Sequence, residues 1–165
     1  MELKKESMQI LKEKSRAKSQ ITFDEDFNVP DAKPDAGRLI QNKGRIIMDD
    51  VRLTDGKGIL TGNLQVDILY VGEERGIVSS LTAKLPFEET LNLKNIINGD
   101  KMCLKWEIED LTIRLIHSRK LNIKALVTFC ATVDETEQIR LPVALDAEEA
   151  VSYTHLRAHE TSAHL

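Results

Sequence analysis

The chain has 165 residues, enough for one core that buries roughly two-thirds of the unfolded surface. With 23 Lys and Arg against 27 Asp and Glu and a net charge of -4, it presents no basic field for nucleic acid; one Trp, two Tyr and four Phe make no base-stacking platform. Cys103 and Cys130 supply neither a disulfide framework nor a complete zinc site, so free thiols in a reducing compartment are expected. The N-terminus MELKKESMQILKEK carries no apolar signal core, and no apolar run approaches the roughly 18 residues of a membrane span.

Residues 1–19 form a short leader rich in Lys, Glu and Ser, compatible with a short helix or with a solvated or strand-like segment. From Gln20, Ile21, Phe23, Phe27 and Val29 share one phase, the alternation of a half-buried strand. The strand stops at Val29-Pro30-Asp31-Ala32-Lys33-Pro34-Asp35. Each proline fixes its own φ and drives the preceding residue to extended geometry, so this connector is stiff and non-helical. Asp35 is a candidate cap for a short helix through Arg38, Leu39 and Ile40. Pro30, Asp31, Pro34 and Asp35 are the candidate interaction or structural motif, with a plain rigid turn as the alternative. A calcium site from Asp24, Asp26, Asp31 and Asp35 is a further alternative, although EF-hand spacing is absent.

A strand is expected at Arg45–Leu53, followed by a hairpin at Thr54-Asp55-Gly56-Lys57-Gly58, since Asp-Gly tolerates the positive φ of tight turns. The stretch GILTGNLQVDILYV places Leu60, Leu64, Val66, Ile68 and Tyr70 in one phase and forms the central strand. Gly72–Gly76 turns the chain into Ile77–Leu85, where Pro86 signals a bend or an edge. Phe87–Leu93 is another segment, closed by a turn at Asn98-Gly99-Asp100. Met102, Leu104, Trp106 and Ile108 alternate with Lys101, Lys105, Glu107 and Glu109, and Leu111, Ile113 and Leu115 continue the run. After a turn at Ser118-Arg119-Lys120, Leu121, Ile123, Ala125, Val127, Phe129, Ala131 and Val133 mark the longest strand, with Cys103 and Cys130 on outer faces. Asp134–Glu137 is a predicted turn, and Ile139–Leu145 a last strand. The fold class is therefore all-β: an antiparallel β-sandwich or open barrel of about eight short strands.

Chemistry-bearing constellations are scarce. His117 sits at a strand end, and Glu88-Glu89 or Glu107 and Glu109 lie on exposed faces with nothing to desolvate them, so an enzyme is the weakest reading. No cofactor motif occurs. The tail Val151–Leu165 holds His155, His159 and His164, and His155 and His159 at i,i+4 mimic a metal site. However, VSYTHLRAHET resembles one reading frame of a transposon-end sequencing adapter. The natural chain is therefore expected to diverge near Ala150, with 146–150 opening a linker and further domains beyond it.

Three stretches, VPDAKPD, GNLQVDILYVGEE and LPFEETLNL, together resemble the SPOCS domain of clostridial spore-envelope proteins of the SipL type. The resemblance runs from Ser19 to Leu145 and implies a domain over about 20–145. It implies a non-enzymatic structural or protein-interaction module in spore-coat or envelope assembly, made in the mother-cell cytoplasm and placed at the forespore surface. The implied partner is the coat-base ATPase. A missing C-terminal LysM unit on peptidoglycan is the alternative, and the family carries no established catalytic residues.

Overall fold

The computed structural model describes residues 4–97 and 100–144. The adapter-like tail with its histidines, the expected linker, and Asn98 and Gly99 of the expected turn lie outside the described residues. Six strands follow one another: β1 (Lys4–Asn28), β2 (Ala36–Thr54), β3 (Lys57–Gly72), β4 (Val78–Asn92), β5 (Lys101–His117) and β6 (Lys120–Ala144). They form two three-stranded antiparallel sheets, ordered β1-β6-β5 and β2-β3-β4. The chain divides into two compact units. One is Glu13–Val133, the body treated below. The described strand residues of the other are 4–12 and 134–144; of these, 6–12 and 134–141 are largely exposed, with Met8, Ile10, Ile139 and Leu141 half-buried.

The expected all-β class is what the chain adopts, but with six long strands in place of about eight short ones. At Pro86 the edge alternative holds, although Phe87–Leu93 is not a separate segment, and the predicted turn at Asp134–Glu137 is absent. Pro86 lies inside β4, paired opposite Asn63; β4 is an edge strand, where a missing N–H costs no ladder bond if it faces outward. The acidic run Asp134–Glu137 lies within β6, its side chains exposed, so its polarity reflects solvent contact rather than a chain reversal. The expected helix after Asp35 is likewise replaced by strand: β2 begins at Ala36, opposite Gly72 of β3. The leader residues from Lys4 onward belong to β1.

Alternation builds the core of Glu13–Val133. Leu60, Leu64, Val66, Ile68 and Tyr70 of β3 and Leu121, Ile123, Val127, Phe129 and Val133 of β6 are buried. These two strands occupy the middles of their sheets. Phe87 of β4 meets Phe23 of β1 edge-on at 6.1 Å and Phe129 of β6 at 5.3 Å, so the sheets face one another through aromatic packing. The β2–β3 hairpin turns through Asp55 (φ 47°) and Gly56 (φ 73°), the paired positive values that the Asp-Gly signal anticipated.

Gly62 answers a different constraint. Beside it the β2–β3 register shifts between Met48 and Asp50, and a Cβ there would collide with the Ile47 carbonyl oxygen and press the Phe87 ring at 3.1 Å. Gly62→Ala is expected to destabilise the domain by about 2 kcal/mol, the scale of overpacking against atoms that cannot rotate away. Urea denaturation monitored by circular dichroism reads this directly.

Candidate functional site

The connector 29–35 carries the chain from β1 in one sheet to β2 in the other. Such a crossing turns backbone groups away from either ladder, and each needs a partner. The partners come from the β5–β6 turn. Val29 N donates to the Arg119 carbonyl and Ala36 N to the Ser118 carbonyl, both at 2.8 Å. Between these clamps Lys33 N closes on the Pro30 carbonyl at 2.9 Å, a β-turn around Asp31 and Ala32.

The Arg119 guanidinium then reaches into the loop. Nη1 donates to the Lys33 carbonyl (2.7 Å) and Asp35 Oδ1 (3.0 Å), while Nη2 donates to the carbonyls of Val29 (3.0 Å) and Pro30 (2.9 Å). Asp31 Oδ1 lies 3.8 Å from Nη2. Only a planar fork of fixed donors can satisfy so many diverging oxygens at once. His117 Nδ1 accepts from Arg119 N at 3.1 Å, which shapes the turn that aims the arginine.

From the opposite sheet, the buried Tyr70 donates its hydroxyl to the Pro34 carbonyl (2.8 Å), and Glu73 N donates to the Asp35 carbonyl (2.9 Å). All four sequence-predicted positions therefore fall at one end of the body. Asp35 is engaged through its carboxylate, Pro30 and Pro34 through their carbonyls, and Asp31 stands exposed at the tip. Sequence reasoning missed Arg119, which it treated as a turn residue, and the Tyr70 hydroxyl, which it counted as apolar core. A Tyr within an otherwise aliphatic buried phase was the available signal, because a buried phenol needs an acceptor.

The four carboxylates of the calcium alternative separate. Asp31 and Asp35 surround Arg119, whereas Asp24 and Asp26 of β1 both accept from Asn122 Nδ2 at 3.0 Å. Among the described residues no group of three His, Cys, Asp or Glu is placed to hold a metal ion. Beside the connector lies an open groove of ≈ 630 Å³ lined by Lys33, Pro34, Arg75, Ile77 and Val78, among others. Ile77 and Val78 are 59% and 57% exposed, an apolar pair in a lining that also carries Lys33, Arg75 and Arg119 and the carboxylates of Asp35 and Glu74.

The return crossing, from β4 to β5, is held by other means. Lys94 N donates to the buried Ser15 Oγ at 2.8 Å. Asp100 Oδ2 accepts from Lys14 Nζ and from Ile97 N, each at 2.8 Å. The Ile97 N–H and the Lys14 ammonium hold the Asp100 carboxyl below its ordinary value. Asp26 is lowered first by the bond from Asn122, against a smaller opposing effect of burial and with help from Lys120.

Fold and site together define a β-sandwich module whose first sheet-to-sheet crossing is pinned by one arginine. Residues 35–116 match the family model described as SipL, SPOCS domain, and through this segment the chain belongs to the SPOCS-domain family. The match takes in β2, β3, β4 and nearly all of β5; it begins at Asp35, so Pro30, Asp31, Pro34 and Arg119 lie outside it. No curated protein and no solved structure matches the chain.

Tyr70→Phe is expected to cost about 1–2 kcal/mol, because the Pro34 carbonyl loses its donor. Arg119→Lys is expected to cost more, about 3 kcal/mol, since an ammonium keeps the charge without the fork. Chemical denaturation measures both. The acid side has a definite sign: the folded pKa values of Asp26 and Asp100 are depressed. The stability they contribute is therefore complete above the ordinary aspartate value of about 3.9 and is lost as pH falls through their lower folded values. Asp100→Asn flattens that acid limb in thermal unfolding followed from pH 6 down to about pH 2.

Proposed function

We propose that the chain is a non-enzymatic protein-interaction module of spore-coat or envelope assembly, acting in the mother cell at the forespore surface. The observation that carries this reading is the SPOCS-domain match over residues 35–116. The geometry supports it by supplying a rigid end on which a partner can dock without an ordering cost. There Ile77 and Val78, where β4 begins, lie beside the pinned connector in a groove that also holds Lys33, Asp35, Glu74 and Arg75, and pre-organised surfaces of this kind spend less of their binding energy on order. The partner proposed is a protein of the coat base, the coat-base ATPase foremost, with a partly apolar contact surface to match.

The experiment is capture of the purified coat-base ATPase on the immobilised full-length protein, with the double variant Ile77→Asp, Val78→Asp beside the wild type. The expected outcome is retention by the wild type and at least roughly tenfold weaker retention by the variant, the scale of losing central apolar contacts. No retention by the wild type, or equal retention by both, overturns the reading.

A further inference from the structure

We propose that β5 pairs antiparallel with β5 of a second copy of this chain, about a two-fold axis at Trp106, joining two sheets into one six-stranded sheet.

Four strands stand at sheet edges: β1, β5, β2 and β4. An edge presents unpaired N–H and C=O groups that template another strand unless something blunts them. On β2 the register shifts three times, at Ala36/Arg38, Leu39/Gln41 and Met48/Asp50. On β4, Pro86 removes a donor midway along the strand. On β1, Lys14, Arg16 and Lys18 share one phase, so a second copy would set cation against cation. Over Lys101–Ile108, β5 has no proline, and the half-buried Met102, Leu104 and Ile108 alternate with exposed positions, interrupted only at Trp106.

Its charges are self-complementary. In an antiparallel pair centred on residue 106, Lys105 lies opposite Glu107 of the second copy, and symmetry makes that pair twice. Both side chains are exposed, and among the described residues neither joins an ion pair. On the other face Leu104 meets Ile108 of the second copy, and Trp106 meets its own counterpart. Trp106 belongs to the core-facing phase of β5 yet is 42% exposed, so an inward-facing aromatic is left uncovered beside the free edge. A neighbouring strand continuing the sheet covers that ring. The inference stands on β5 alone and does not depend on a role in sporulation.

The test uses sedimentation equilibrium of the full chain from micromolar to millimolar concentration. Fluorescence is followed in parallel, because Trp106 is the sole tryptophan. The wild type is expected to dimerise with a concentration-dependent blue shift as the ring leaves water. Lys105→Glu and Glu107→Lys each set like charges opposite one another twice and weaken association about tenfold; the double swap restores it. A wild type that stays monomeric throughout, or a double swap no tighter than either single variant, overturns the proposal. Because the readout is self-association, its failure leaves capture of the coat-base protein untouched and separately measurable.

Discussion

The guanidinium of Arg119 is the contact on which the crossing between the two sheets depends. A sandwich needs its chain to leave one ladder and enter another, and at that step the backbone has no strand to pair with. Here the connector points the carbonyls of Val29, Pro30 and Lys33 toward a single point, and the arginine meets all three together with Asp35. One cation thereby substitutes for a stretch of missing ladder. Its own turn gains in return, since the carbonyls of Ser118 and Arg119 receive the N–H groups at the two ends of the connector.

The same arrangement brings three separated stretches of sequence together. Tyr70 and Glu73 of the GNLQVDILYVGEE stretch bond to Pro34 and Asp35 of VPDAKPD. LPFEETLNL meets the start of GNLQVDILYVGEE, with Leu85 opposite Leu64, Pro86 opposite Asn63 and Phe87 opposite Gly62. The three are one contiguous piece of the body. The family-matched segment holds the whole β2-β3-β4 sheet, while the arginine that closes the crossing comes from just beyond it.

A two-residue period was enough to find β3 as a central strand, to place the Asp-Gly hairpin and to list the buried phase of β6 residue by residue. The misses share a cause. Phe87–Leu93 counts as a separate segment and Asp134–Glu137 as a turn when only local propensity is weighed, yet the edge position that Pro86 signals and an exposed face remove the penalty. Asp35 was read as a helix cap because an aspartate before a short apolar run suits one locally, whereas its carboxylate is taken by a residue more than eighty positions away.

What the amino-acid order settled unaided was the all-β class, the phase of nearly every core side chain and the stiffness of the connector, because each follows from neighbours in the chain. Only the tertiary structure decided how many strands those phases make, which of them stand at edges, and which distant arginine and tyrosine receive the connector's polar groups. Alternation records which face of a strand is buried, and it carries no information about what lies across the gap.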